Sequence, residues 1–589
     1  MRDCDPAALS RSAASSSRPR PHRWLAVALA LVCSGCAGLP KEVERPVSVA
    51  LDVARGPTDL SALVERQRRA VGARGVSSGF MLLSGPQEAY GSRLALVEAA
   101  QKTLDLQYYA IHADASSARL LRGVVDAARR GVRVRILLDD FHSTGRNALV
   151  MRLAFEPHIE MRMFNPVAGP RDSMLGRLWG SLTDFSRVQQ RMHNKLFIAD
   201  NAMGVTGGRN LGDAYFGQGA GENFVDLDVL AAGPVVAELS RSFDQYWNNP
   251  RAYPVQSLVT RKELEQLQAQ IQEAEGGAAA GDAPALPPPA QDPEQQRRAL
   301  QAWNEEPLDL ANARLVWAPA AVLVDQPTKI ALEGEPGPAG GEPAGPDATA
   351  ALQGGADAED TVVDGLLQLM ARTRRELLII SPYFVPGEDM KRAFAEARRR
   401  GVRVRILTNS LASNDAPIAH VGYARHREEL LDLGVELYEL RSEQAGLRTA
   451  FGSSGTPSGP QRSGSNPGND GASGGATGAS RSMLHSKVLV VDRQLLVVGS
   501  MNLDLRSQLQ NTEVALLIRS KLLSEQAARQ IEAAMLRGSW HVQRSEDGAL
   551  LWRAPEGSGL DDMKHDPDSS LGLRLLLRLL GPLAPDHLL

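Results

Sequence analysis

Cysteine is almost missing from this chain: of 589 residues only Cys4, Cys33 and Cys36 carry a thiol, all within the first forty positions. The remaining body can therefore hold neither an internal disulfide nor a cysteine-ligated metal site. Lysine is scarce too, with nine among 65 basic residues, so each lysine inside a patterned stretch carries weight. There is no excess of either charge sign. A formal net charge of -4 gives no global pull toward nucleic acid, and no nucleic-acid partner is expected. A long hydrophobic run is lacking as well: "WLAVALALV", Trp24 to Val32, is too short to span a bilayer comfortably. The 43% hydrophobic and 23% charged content is that of a globular protein, and the length predicts two to four domains.

What is present is a duplicated pattern. "RMHNKLFIAD", Arg191 to Asp200, reads as a strand in which His193, Lys195 and Phe197 share one face. Asp200 and Asn201 then form a turn before a second extended run, Ala202 to Thr206. "MLHSKVLVVDRQLLVVGSMNLD", Met483 to Asp504, repeats the spacing with His485, Lys487 and Asp492. In both copies a glycine-led tetrad begins seven residues after the aspartate: "GGRN", ending at Asn210, and "GSMN", ending at Asn502. One such H-x-K-x-x-x-x-D match has a chance expectation of about 0.01 per chain, and the shared tail makes coincidence far rarer.

A second repeat lies upstream. "RRGVRVRIL" occurs at Arg129 to Leu137 and, letter for letter, at Arg399 to Leu407. Each copy follows a helix-like stretch (Ser117 to Arg130, Glu388 to Arg400), itself preceded by an apolar strand-like run, "TLDLQYYAI" or "ELLIISPYFV". Strand, helix, strand predicts a parallel crossover unit. The expected fold class is α/β: two similar lobes, each a β-sheet flanked by helices, related by a pseudo-twofold axis with the site between them.

Two histidines facing one substrate can divide the work, one attacking and the other donating then accepting a proton. Two lysines and two asparagines supply donors that neutralise a phosphoryl group during displacement. This is phosphoryl chemistry without a metal or other cofactor: each motif offers one histidine and one aspartate seven apart with a lysine between, a poor ligand set.

These residues resemble the signature of the phospholipase D superfamily, over Gly79 to Pro250 and Ala313 to Trp540. "LDLQYY", "GVRVRILLDD", "GGRNLGDAYF" and "ISPYFVPG" most resemble bacterial cardiolipin synthases of the C type. The resemblance implies that one histidine forms a covalent phosphohistidine, with His193 as nucleophile and His485 as acid, an order that can be swapped. It implies that Lys195, Lys487, Asn210 and Asn502 hold phosphate oxygens. It also implies a carboxylate on the strand after each asparagine, bonded to the far ring nitrogen of a catalytic histidine. "NTEVALLI" supplies Glu513, and "NFVDLDVL" offers Asp226 or Asp228, with the strand alignment favouring Asp226. Asp200 and Asp492 complete the motif and are expected to order the hairpin turns. His112, His142, His420 and His426 are read as surface or satisfied histidines, while Asp139 and Asp140 end a predicted strand, where α/β sites gather, and a strand-terminal turn explains them equally well.

The expected activity is a phosphatidyltransferase making cardiolipin from phosphatidylglycerol with a second phospholipid, phosphatidylglycerol or phosphatidylethanolamine. Hydrolysis to phosphatidic acid uses the same residues, and a family nuclease is a third reading that the full pair of motifs and absent basic excess oppose. Phospholipids and a bacterial membrane surface are the expected partners. A monomer is expected, since both motifs lie in one chain.

The start resembles a bacterial lipoprotein signal: Arg11, Arg18, Arg20 and Arg23 flank the apolar core, and "CSGC" closes it, making Cys36 the lipidated residue. A cleaved signal or an uncleaved anchor also fits, and all three put the body outside the cytoplasm. The expected domains are the leader 1–36, an N-terminal segment 37–78, lobe one 79–250, a connector 251–312, lobe two 313–540 and a tail 541–589. Glu273 to Gln296 and insertions at 333–360 and 442–480 have the composition of disorder. The stretch "LGLRLLLRLLGPL", Leu571 to Leu583, reads either as a helix lying in a membrane interface or as one packed on its own domain.

Overall fold

The computed structural model describes residues 39–73, 75, 77–167, 185–219, 222–274, 306–330, 361–442, 481–580 and 586. The expected leader with Cys36, the 333–360 insertion, residues 443–480 and most of Glu273 to Gln296 lie outside the described residues.

The chain builds two nine-stranded mixed sheets. The first half supplies β1 (Ser78–Leu83), β2 (Thr103–Tyr108), β3 (Arg133–Asp139), β4 (Ile159–Phe164), β5 (Leu196–Ala199), β6 (Met203–Gly207), β7 (Glu222–Val225), β8 (Asp228–Ala232), β9 (Ala252–Pro254) and β10 (Val316–Ala318). The second supplies β11 (Ala320–Val324), β12 (Glu376–Ile380), β13 (Phe384–Val385), β14 (Arg403–Asn409), β15 (Glu436–Leu440), β16 (Arg481–Leu484), β17 (Val488–Val491), β18 (Leu495–Gly499), β19 (Leu503–Asp504), β20 (Val514–Arg519), β21 (Ser539–Arg544) and β22 (Leu550–Arg553). The strand orders are β10-β1-β8-β6-β5-β2-β3-β4-β9 and β11-β20-β18-β17-β12-β14-β15-β21-β22. From β1 to β9 and from β11 to β21 they coincide, so the sequence repeat is a repeat of topology.

The repeated arginine run explains how each crossover ends. Helix Ala115–Arg129 feeds β3, which pairs parallel with β2, and helix Glu388–Arg399 feeds β14, parallel with β12. Gly131 and Gly401 take φ of 95° and 82°, a left-handed conformation that an L side chain disfavours. That lets Val132 N–H reach Ala127 O and Val402 N–H reach Ala397 O, closing each helix before the next strand.

Both motif hairpins turn alike. Asp200 and Asn201 have φ of 52° and 48°, Asp492 and Arg493 51° and 55°, the positive pair that a tight two-residue hairpin turn needs. The strands are shorter than the sequence predicts: β5 begins at Leu196 and β17 at Val488, so each histidine and lysine precedes its strand. The reason is where their backbone bonds go. His193 N–H donates to Thr512 O and His485 N–H to Val225 O, each in the opposite half, and β16 pairs parallel with β7. These segments stitch the lobes together instead of extending their own sheets.

One apolar core is shared between the lobes, with Leu82, Leu196 and Val229 from the first sheet and Leu378, Val488 and Leu516 from the second. Two further clusters lie under the helices on the other faces. Two strands fall outside the expected lobe limits. β9 extends the first sheet past residue 250 and β22 extends the second past 540, while β10, on the second-lobe side of the connector, pairs with β1 of the first. Short hydrophobic runs flanked by polar residues do not announce which sheet edge they will cover.

Candidate active site

Each histidine is fixed from behind by the other lobe. Glu513, at the threshold of β20, places Oε2 2.9 Å and Oε1 3.1 Å from His193 Nδ1. Asp226, in the break between β7 and β8, places Oδ2 2.7 Å from His485 Nδ1. Nδ1 is thereby the protonated nitrogen facing a carboxylate, and Nε2 is left to the cavity. The alternative acid, Asp228, belongs elsewhere: it forms a buried ion pair with Arg93 at 2.8 Å and accepts Arg209 N–H.

The residue before each histidine is pinned by the end of the repeated strand. Asp139 Oδ2 accepts Met192 N–H at 2.9 Å, and Asn409, at the equivalent place in the second copy, accepts Leu484 N–H at 2.8 Å. Asp139 also meets Arg191, while Asp140 accepts Val167 N–H, so these acids brace the loop.

Both histidines open on one cavity of about 760 Å³, whose lining includes Asn210, Asn502, Tyr109, Tyr215, Tyr383 and Arg506. Tyr109 meets the His193 ring edge-on at 5.0 Å and Tyr215 the His485 ring at 5.3 Å, which limits rotation of each imidazole. Lys195 and Lys487 are buried beside it, each donating to the carbonyl of its own motif histidine. Asn210 donates to Tyr215 Oη and accepts from Ala110 N–H. Asn502 Oδ1 is buried with no hydrogen-bond partner among the described residues.

Asp200 and Asp492 stand at the far ends of β5 and β17. The Asp200 carboxylate accepts the N–H groups of Gln101, Lys102 and Thr103, and Asp492 those of Arg374, Arg375 and Glu376. They tie each turn to the start of the neighbouring strand. His112 and His142, read from sequence as surface or satisfied histidines, also line the cavity, and His112 Nδ1 lies 3.3 Å from Asn147 Nδ2. They follow the C-terminal ends of β2 and β3, and that position is the signal, since sites of α/β sheets gather there. His426 Nε2 meets Asp586 and His420 Nε2 meets Asp566, while His420 Nδ1 is buried with no hydrogen-bond partner among the described residues.

The electrostatics are those of a dry site crowded with cationic groups. Burial, with Lys195 and Lys487 nearby, takes His193 down to about 4 despite Glu513. His485 is driven well below the ordinary histidine range by burial and then by Lys487. Burial and the opposing ammonium bring Lys195 to about 7, and burial brings Lys487 to about 8. The two carboxylates part company: burial raises Asp226, whereas in Glu513 burial is outweighed by His193, Lys195 and the Ser500 hydroxyl, holding it at about 2. An entering anion would favour the charged form of both histidines and both lysines. Among the described residues no three His, Cys, Asp or Glu side chains cluster as a metal site needs.

The cardiolipin synthase, phospholipase D-like domain matches residues 94–247, 366–453 and 459–535. Cardiolipin synthase C of Escherichia coli (strain K12) is 33% identical over 520 residues, 87% of this chain and 96% of that protein. This chain belongs to the phospholipase D superfamily, among the cardiolipin synthase C-like proteins. An uncharacterized protein of Helicobacter pylori (strain ATCC 700392 / 26695) is 30% identical over 508 residues, 85% of this chain and 87% of that one. The fold is shared with phosphatidylserine synthase of Haemophilus influenzae Rd KW20, at a TM-score of 0.50 and 13% identity over 89% of this chain and 100% of that one. The chain is a phospholipase D superfamily phosphatidyltransferase.

Proposed function

We propose that this phosphatidyltransferase makes cardiolipin from phosphatidylglycerol, taking phosphatidylglycerol or phosphatidylethanolamine as the second phospholipid. His193 Nε2 attacks the phosphorus of the donor lipid. The bond to the headgroup oxygen breaks, and glycerol or ethanolamine leaves with a proton from Nε2 of His485, which takes up that proton to become an imidazolium when the anionic lipid phosphate enters the cavity. The glycerol hydroxyl of an acceptor phosphatidylglycerol then returns a proton to His485 and attacks phosphorus, freeing His193. Lys195, Lys487, Asn210 and Asn502 hold the phosphoryl oxygens as charge shifts.

The observation that carries this reading is the pair of imidazoles backed through Nδ1 by carboxylates, both opening on one cavity. The order of roles is supported by Glu513: it stays anionic and accepts the Ser500 hydroxyl, so it stabilises the positive charge that a phosphohistidine places on His193. The same reading puts a monomeric enzyme at the extracytoplasmic membrane surface, attached through Cys36, on the support of the leader sequence. Among the described residues no helix is long and apolar enough to cross a membrane.

The test incubates purified protein with phosphatidylglycerol, with and without phosphatidylethanolamine, and identifies products by mass spectrometry. Cardiolipin with released glycerol or ethanolamine is expected, and phosphatidic acid alone overturns the transferase reading in favour of hydrolysis. His193→Ala and His485→Ala should each lower turnover about 10⁴-fold or more. With an aryl phosphodiester, whose leaving group needs no proton, His485→Ala should accumulate the covalent intermediate and His193→Ala should not; the opposite result exchanges the two roles.

A further inference from the structure

Helix Leu571–Leu580 turns its apolar side the wrong way for a packing helix. Leu577 is buried against the second lobe, yet Leu571, Leu575 and Leu579 are 75%, 59% and 68% exposed. Spaced by four, these three form one outward stripe. The helix is anchored from below: Ser570 receives the first-turn N–H groups of Leu573 and Arg574, and Arg574 Nη1 donates to Asp566 O. It leans on helix Pro417–Asp432, and that second helix leads to the active site: Ile418, in its first turn, is 40% exposed and lines the catalytic cavity. Two more exposed apolar side chains stand at the same mouth. Phe141, 39% exposed, lines the cavity, and Leu509, 54% exposed, lies between the cavity residues Arg506 and Asn511. The groove beneath the C-terminal helix is lined by Arg425, Arg427, Lys564 and Arg574 against Glu428 and Asp566, with Arg425 also paired to Asp586 and Lys564 to Asp547.

We propose that Leu571, Leu575 and Leu579, together with Ile418, Phe141 and Leu509 around the mouth, are one docking face for a bilayer containing anionic phospholipid. The occupant follows from continuity. An apolar stripe with cations beside it suits the boundary between headgroups and acyl chains, and the helix joining it to the mouth sets the cavity against the surface from which a two-chain lipid must be drawn. This deepens the proposed function and rests on a lipid substrate. The apolar side chains anchor the enzyme while the headgroup phosphate reaches the histidines, so the acyl chains need not leave the bilayer.

The experiment takes the full chain, wild type and Leu571→Asp/Leu575→Asp/Leu579→Asp, in flotation with vesicles of phosphatidylcholine alone or with phosphatidylglycerol. The triple variant should bind phosphatidylglycerol vesicles at least tenfold more weakly and turn over vesicle substrate at least tenfold more slowly. Its turnover of a soluble short-chain phosphatidylglycerol below its micelle concentration should match wild type, which also shows that the variant is folded. Unchanged vesicle binding overturns the proposal. So does sedimentation in which wild type is a lipid-free dimer and the triple variant a monomer, because the leucines then cover a second copy. Loss of soluble-substrate turnover in wild type itself would instead strike the proposed function and leave the docking face standing on the flotation result.

Discussion

Behind His485 stands a short carboxylate, Asp226; behind His193 stands the longer Glu513, and the two are held differently. In the first lobe the second residue of the tetrad is Gly208, and a Cβ there would come within 2.2 Å of Asp226 Oδ1. In the second lobe the same motif position is Ser500, whose hydroxyl donates to Glu513 Oε2. The cavity faces of the half-sites repeat each other, with one histidine, one lysine and one asparagine apiece, while the supports behind them have diverged. A near-symmetric pair of imidazoles must act at different moments of one reaction, and a difference in the carboxylate environment is a way to set their basicities apart.

The largest test of that difference exchanges each carboxylate for its amide. Glu513→Gln and Asp226→Asn should each lower kcat about a hundred- to ten-thousand-fold, because the amide no longer favours the Nδ1-protonated tautomer. With an aryl phosphodiester, formation of the covalent intermediate should recover toward wild type in Asp226→Asn and stay slow in Glu513→Gln. Equal behaviour of the two variants in rapid-quench kinetics would show that the half-sites are not specialised.

A smaller effect comes from the tetrad itself. Gly208→Ala should displace Asp226 and lower kcat about ten- to a hundredfold through misplacement of His485. Ser500→Gly removes one hydrogen bond to a charged acceptor and should cost about three- to thirtyfold in kcat. Ser500→Thr should restore most of that loss, whereas a Thr variant as slow as Gly would show that the hydroxyl is not the active feature.

The smallest effect on chemistry is expected at the third letter of the motif. Asp200→Ala and Asp492→Ala each strip a carboxylate from three backbone N–H groups and should lower unfolding free energy by about 2–4 kcal/mol in denaturant titration. Their kcat should stay within about threefold of wild type. A collapse of kcat with unaltered stability would place these aspartates in the reaction, against their position at the far ends of β5 and β17.

Much of this was legible in one dimension. The duplicated arginine run announced two parallel crossovers because a glycine between an amphipathic helix and an apolar strand is a local stop signal. The hairpins were equally local, since Asp200 with Asn201 and Asp492 with Arg493 must reverse the chain between apolar runs. The strand limits were not: His193 and Lys195 alternate like strand residues, yet the His193 N–H donates to Thr512 O across the lobe junction. His112 and His142 stood near predicted strand ends, but only the closing of β2 and β3 onto the junction brings them into the cavity. The leucines of the C-terminal helix were equally ambiguous, for a helical period identifies a stripe without saying which neighbour it faces.

Sequence alone determined the paired motif residues, because two histidines, two lysines and two asparagines sit in short segments whose spacing is local. Tertiary structure alone decided how the acids are dealt out. His193 takes its carboxylate from 320 residues downstream and His485 from 259 residues upstream, each across the junction from its own motif. A strand's alternation specifies which face a side chain occupies but not what lies opposite. That is set by the shared core and the β7–β16 pairing that clasp the lobes, so neither histidine is fully held until both halves have folded together.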